Sequence, residues 1–180
     1  TGDFYDIPTT RAIMLIRANT LSRGHSGIRP STLGLLIGML NAGIHPQIPE
    51  KGSLGASGDL APMAQAALLL MGEGEAFYMG EQLPGSEAMR RAGIEVPGLQ
   101  ARDGLATING SNLLTAMSAL HIYDMERFLK QAEIAAAMSI EALLGNMKPY
   151  NAKLHELRGF SGAITSAKNI LKVVMAFVQT

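Results

Sequence analysis

Residues 111–144 read SNLLTAMSALHIYDMERFLKQAEIAAAMSIEALL, thirty-four positions without a Pro or a Gly, and Gly145 ends the run. Leu113, Met117 and Leu120 begin an apolar stripe at helical spacing, and Phe128, Ala132, Ala136, Ile140 and Leu143 continue it. At 1.5 Å per residue, an uninterrupted helix here is roughly 50 Å long. A chain of 180 residues has little with which to cover such a rod, so the stripe predicts a helix bundle shared between subunits.

Reading outward from this helix, most of the chain is helical. Ala163 to Val178 repeats the pattern downstream. Upstream, Pro8-Thr9-Thr10 opens a helix in which Ile13, Ile16, Arg17 and Leu21 recur until Gly24. Pro30-Ser31-Thr32 opens another, with Leu33, Leu36, Ile37 and Leu40 expected on one face and Gly43 just past its end. Asp59 reads as the N-cap of a third, which carries Met63, Ala66, Ala67, Leu70 and Met71 and closes at Gly72 or Gly74. Phe77 to Leu83, around Gly80-Glu81, is the one hairpin candidate; Ser86 to Ala92 is a short helix and Pro97-Gly98 a break. The expected fold class is mainly α, a long-helix bundle with at most one small β-hairpin. The chain opens at Thr1 and stops at Thr180 within an apolar helical pattern, so residues 1–180 are expected to be one segment of a larger all-α fold, truncated at both ends.

Composition removes several classes of function. Fifteen Lys and Arg balance fifteen Asp and Glu, which leaves no basic field for nucleic acid and no polybasic patch for lipid. The longest apolar runs, Ala66–Met71 and Val173–Val178, are far short of the roughly 20 residues that span a bilayer. Absence of Cys removes disulfides, thiolate nucleophiles and Cys-based zinc sites. His25, His45, His121 and His155 include no pair at i, i+4, so no metal site is expected. With no leader before the first periodic segment, the expected compartment is the cytoplasm. The charged fraction, 17% against roughly 25% in ordinary domains, points to burial against other protein.

Chemistry concentrates in Gly52-Ser53-Leu54-Gly55-Ala56-Ser57-Gly58-Asp59-Leu60-Ala61-Pro62. Its glycines spell neither GxGxxG nor GxxxxGK[ST], and Ser57 sits in neither GxSxG nor SxxK. The segment offers backbone chemistry instead. Without a Cβ on Gly58, its amide nitrogen can approach the carbonyl carbon of Ala56, and Ala56 adds little bulk. Closing that five-membered ring and losing two waters leaves Ser57 dehydrated to a methylidene unit, an electrophile made from the main chain. The positive end of the following helix would stabilise electron density pushed onto the ring.

Gly52–Pro62 resembles the signature of the aromatic amino acid ammonia-lyase and aminomutase family, the histidine, phenylalanine and tyrosine ammonia-lyases among them. Leu21-Ser22-Arg23-Gly24-His25-Ser26-Gly27-Ile28-Arg29 resembles the family's SRGxSGIR block. Gly72-Glu73-Gly74 follows in the family's order, and Asn109-Gly110-Ser111 resembles its NGT/NGS motif. Met63 departs from the usual Leu, a change a helix tolerates.

The resemblance implies that Ala56, Ser57 and Gly58 cyclise to 4-methylidene-imidazol-5-one (MIO), with no external cofactor. It implies that the Asn109 amide contacts this group and the substrate, and that Leu60 lines the aromatic pocket. Asp59 supports ring closure or, more blandly, caps its helix. The implied reaction is non-oxidative loss of ammonia from L-histidine, L-phenylalanine or L-tyrosine to an aryl acrylate, the three substrates remaining open. An electrophile is needed because an α-ammonium leaves poorly and a β-hydrogen is barely acidic. The family's base, a Tyr, and its Arg and Glu or Gln belong to segments outside this chain; Tyr5, Tyr78, Tyr123 and Tyr150 match none of its tyrosine motifs. A homotetramer is implied. Two alternatives stand beside the lyase: an aminomutase that re-adds ammonia at the β-carbon, and a catalytically silent helical oligomerisation fragment.

Blander roles are expected elsewhere. His25 reads as a hydrogen-bonded structural residue, His155-Glu156 as a surface pair near a helix end, and the eleven Met residues as core filler.

Overall fold

The structure, a computed structural model, describes residues 1–178 of the chain, with side chains through Ala176. The reading of an apolar pattern that continues to Thr180 falls on residues 179 and 180, outside the described residues. The chain divides into two compact units, Thr1–His121 and Ile122–Thr180.

In the first unit, α1 (Ile7–Ser22) starts where the Asp6 carboxylate accepts the Thr9 N–H at 2.9 Å. It is followed by α2 (Pro30–Ala42), which ends at Gly43 with φ +74, a left-handed cap that costs least at glycine. The buried face of α2 is carried by Thr32, Leu35, Leu36, Met39 and Leu40. This corrects the expected stripe, because Ile37 is 40% exposed and Leu33 only half-buried. The four expected positions span two adjacent helical rows, and the core takes the row centred on Leu36.

Three short antiparallel strands, β1 (His45–Pro46), β2 (Glu75–Tyr78) and β3 (Glu81–Pro84), form a sheet in the order β1-β2-β3. The expected hairpin is β2–β3, and its turn residues are Met79 and Gly80, both at positive φ. That pair suits the right-handed twist of the flanking strands. Helix α3 (Leu60–Leu68) tightens through Leu69–Met71 and stops at left-handed Gly72, and α4 (Gly85–Arg91) follows the hairpin. A further short helix, α5 (Asp103–Ile108), has no clear sequence signal and leads into α6 (Asn112–Ala142).

Two groups of buried side chains hold this unit. Met14, Leu21, Leu36, Met39, Leu70 and Met89 belong to one, and Ile13, Ile48, Met63, Ala66, Leu113 and Ala116 to the other. Neighbours Ile13 and Met14 face different groups, so α1 is covered on both sides. The second group ties α1 to α3 and to the first turns of α6. It thereby fixes the loops that precede those two helices.

The second unit contains the remainder of α6, α7 (Ala152–Arg158) and α8 (Ser161–Val178). At 31 residues, α6 is ~47 Å long. Helix α7 starts at an Asn151 side-chain cap and ends at left-handed Gly159. Glu133 of α6 accepts hydrogen bonds from Ser166 and Asn169 of α8 at 2.6 and 2.8 Å. Ala137, Ala167 and Val174 are buried here, whereas Phe128, Leu129, Met138, Leu157 and Phe160 are exposed. Met79, Met138 and Met175 are exposed too, so methionine is core filler only at positions such as Met14, Met39, Met63 and Met89. No described helix is long and apolar enough to cross a membrane.

Candidate active site

The loop ahead of α3 is built by its glycines and by one carboxylate. Gly55, Ser57 and Gly58 all have positive φ, +71, +60 and +104, which coils the chain tightly. Ser57 is the uncommon case, a side-chain-bearing residue in the left-handed region. Ala56 and Ser57 are exposed, Gly58 half-buried and Asp59 buried. A Cβ at Gly58 would fall 2.6 Å from the Gly110 carbonyl oxygen and 2.8 Å from its carbon, closer than a side chain can stand to fixed main chain. Next to it, the Asp59 N–H donates to that same Gly110 oxygen at 2.9 Å. Main chain thus lies directly on main chain, and the Ala56-Ser57-Gly58 turn meets the Asn109-Gly110 turn.

Asp59 occupies the N-cap position of α3, yet its carboxylate does not cap that helix, a correction to the expected role. Oδ1 accepts from the Ser53 hydroxyl at 2.7 Å, and Oδ2 accepts from the Leu114 N–H at 3.1 Å. Leu114 is the third residue of α6, so the carboxylate satisfies one of that helix's free N–H groups and meets the positive end of its dipole. The backbone of Asp59, at φ −91 and ψ 54, lies outside the extended geometry that turns an N-cap side chain onto its own helix.

Asn109 ends α5, is exposed, and lines an open cleft of about 360 Å³ with Arg17, Thr20 and Arg102. Leu60, the first residue of α3, is half-buried. The more capacious depression between α1 and α2, about 550 Å³ and lined by Leu15, Ala18 and Ile37, contains none of the expected site residues.

Two residues that anchor the site, Arg17 and Asp103, escape the sequence reading or stand in it only as a helix position. Arg17, in the apolar stripe of α1, is 3% exposed. Its guanidinium donates to the Asn109 carbonyl at 2.9 Å, to Asn112 Oδ1 at 2.8 Å, and to the Ala106 carbonyl. Burial lowers its pKa below the ordinary guanidinium value. A charge at i+4 from Ile13 and i−4 from Leu21 was the available signal.

At the other end of α5, Asp103 is wholly buried, and the Arg29 guanidinium pairs with its carboxylate at 2.6 Å. Thr32 Oγ1 and the Gln100 N–H donate to the same oxygen at 3.0 Å, and the Arg29 N–H donates to the other. Burial alone would raise the Asp103 pKa, but the N–H groups of Arg29 and Gln100, the Arg29 guanidinium and the Thr32 hydroxyl together hold it down to about 2. Arg29 thus has a structural reason to stand in the Ser22–Arg29 block. His25 of the same block is exposed just after α1. His155, within α7, has Nε2 2.9 Å from the Pro149 carbonyl oxygen.

Comparison with known proteins fits this geometry. The family model for aromatic amino acid lyase matches residues 1–176. A histidine ammonia-lyase of Clostridium tetani is 54% identical over 173 residues, covering 96% of this chain and 34% of that protein. One from Alkaliphilus metalliredigens is 51% identical over 164 residues, 91% of this chain and 32% of that protein. Among solved structures, the phenylalanine aminomutase of Pantoea agglomerans superposes with a TM-score of 0.91 at 38% identity, covering 96% of this chain and 33% of that one. The histidine ammonia-lyase of Trypanosoma cruzi gives 0.89 at 32%, covering 94% and 34%. The chain spans about a third of the length of the curated relatives it matches.

Proposed function

The chain belongs to the aromatic amino acid lyase family, and on that premise we propose that its parent protein is a histidine ammonia-lyase. The proposed reaction eliminates ammonia from L-histidine without oxidation and leaves the aryl acrylate. Histidine is preferred over phenylalanine and tyrosine because the relatives at 54% and 51% identity carry that activity in their names. Residues 1–180 are proposed to be the electrophile-bearing central segment of the larger fold.

The observation that carries this reading is the absence of room for a Cβ at Gly58, within a turn whose φ values are positive at Ser57 and Gly58. The residues present fit the ring: Gly58 has no Cβ to obstruct closure and no room for one, and Ala56 adds little bulk. In the proposed closure a bond forms between the Gly58 nitrogen and the Ala56 carbonyl carbon. The Ala56 oxygen leaves as water with the hydrogens of the Gly58 and Ser57 amides, and the Ser57 hydroxyl leaves as a second water with its α-hydrogen. The balance needs no oxidant. The resulting MIO supplies an electrophile that bonds the substrate and makes the elimination feasible.

Within the chain, Gly110 backs the turn and Asn109 stands beside it, exposed, to contact substrate. Leu60 is proposed to contribute to the aromatic pocket. The base and the carboxylate-binding residues come from other segments, and the exposed apolar faces of α6 and α8 support assembly as a homotetramer.

Intact mass and peptide mapping across Gly52–Pro62 in the full-length parent test the proposal. A loss of two waters on Ala56-Ser57-Gly58, with ammonia released faster from L-histidine than from L-phenylalanine or L-tyrosine, is the expected result. An unmodified parent overturns it. Formation of a β-amino acid would transfer the reading to an aminomutase, the activity named for the Pantoea agglomerans structure.

A further inference from the structure

Arg17 is a buried charge without a charged partner. Its hydrogen bonds all go to neutral oxygens, those of Ala106, Asn109 and Asn112, and its Nε has no partner among the described residues. Stability does not call for such a residue, because replacing a buried ionic group by an apolar one of similar volume is often neutral or favourable. Its position in the stripe between Ile13 and Leu21 would accept a Met or Leu. The charge therefore asks for another explanation.

The packing around Gly110 provides one. A Cβ at Gly110 would fall 2.5 Å from an Arg17 terminal nitrogen, just as a Cβ at Gly58 would fall 2.6 Å from the Gly110 oxygen. Three layers are stacked without side chains between them: the Arg17 guanidinium, the Gly110 peptide, and the Gly58 main chain. With the Asp59 N–H bonded to the Gly110 oxygen and the Gly58 Cα packed directly on that peptide, a displacement of Gly110 is passed to the main chain on both sides of the Gly58 Cα, the nitrogen included. Helix α5 cannot slide to compensate, since Asp103 pins its first residue to Arg29 and Thr32.

We propose that Arg17 is a positioning residue for ring closure, acting through Gly110 to hold the Gly58 nitrogen against the Ala56 carbonyl carbon. This rests on the function proposed above. The atom balance is that of the closure already written; Arg17 neither gains nor loses a proton. A shift of about 1 Å in reacting atoms can cost roughly a hundredfold in rate, so loss of Arg17 is expected to slow closure at least tenfold.

The test follows the Ala56-Ser57-Gly58 peptide by mass in full-length parent protein as a function of time after synthesis. Arg17→Gln, which keeps a donor but neither the charge nor the fork, is compared with wild type. A third protein, Met39→Ala, opens a cavity in the core group that excludes Gly110 and serves as the destabilised control. The expected result is slow or incomplete loss of the two waters in R17Q and normal loss in M39A. Arg17→Lys carries the same comparison if R17Q does not fold, with an intermediate rate expected. Maturation of the Arg17 variant at the wild-type rate overturns the proposal, and so does equal slowing in M39A, which would reduce Arg17 to a stabilising residue. A wild-type parent that stays unmodified overturns the proposed function itself, and is distinguished by that from failure of the Arg17 variant alone.

Discussion

The two units of the chain solve the problem of burial in opposite ways. In residues 1–121, α1 is covered on two sides, and both the Asp103 carboxylate and the Arg17 guanidinium are hydrogen-bonded inside. In residues 122–176, three alanine- or valine-sized positions are buried while Phe128, Phe160, Leu129 and Leu157 face outward. The lesson is a division of labour. The unit that carries the candidate site has the close packing that holds a main-chain turn at ångström accuracy, and the other presents an amphipathic surface suited to cover by further protein.

That contrast breaks most visibly at glycine. Gly58→Ala is expected to destabilise the first unit by about 3–5 kcal/mol, through the clash with Gly110 and the strained φ together. Denaturant titration of the full-length parent reads the shift, and a loss below 1 kcal/mol would mean the loop yields easily. Asp103→Asn comes next. Removing one partner of the ion pair at a wholly buried site is expected to cost about 3 kcal/mol.

The same carboxylate carries a pH signature. Its folded pKa, about 2, lies below the ordinary 3.8, so its stabilisation is complete above pH 4 and is lost as pH falls towards 2. Acid titration should show that slope in wild type, and the slope should flatten in D103N.

In the second unit, Phe128→Asp tests the apolar surface. A 56% exposed side chain contributes little to its own unit, so a change within about 0.5 kcal/mol is expected there. The homotetramer proposed for the parent should instead dissociate on size exclusion, and an unchanged elution would remove the argument for cover on this face. The smallest effect is Gly162→Ala in α8, where a Cβ would meet nothing within 4 Å. A gain of about 0.5 kcal/mol is expected from helix propensity and a less flexible unfolded chain, readable as a slightly raised denaturation midpoint.

The elements with strong periodicity were legible in the sequence. The run from Ser111 to Leu144 became α6, Gly43 and Gly72 end the helices they were expected to end, and the hairpin lies one residue from its expected turn. Helix α5 was not legible, because a six-residue helix with Gly104 in its first turn has almost no period to display. The second face of α2 was misjudged for a related reason: Leu33, Leu36, Ile37 and Leu40 are all apolar, and only tertiary contact decides which row turns inward. At the candidate site, local order singles out Ala56-Ser57-Gly58 as a candidate, and apart from the Ser53 hydroxyl on Asp59 the groups that brace it are distant. Arg17 lies 92 residues from Asn109, and Arg29 lies 74 from Asp103. Asp59 shows the limit most clearly, since its residue type fits a cap and its position fits α3, yet its carboxylate serves Leu114.

The long separation between Gly58 and Gly110 also sets an order in time. The surface against which the turn is pressed emerges 52 residues after the turn itself, and the carboxylate beside it waits four more for the amide of Leu114. A nascent chain that ends before Gly110 has the Ala-Ser-Gly triplet but not the anvil, so the proposed ring closure is expected to follow folding rather than accompany synthesis of the loop. The chemistry thereby doubles as a record of assembly: the two missing waters would mark the molecules whose first unit has packed.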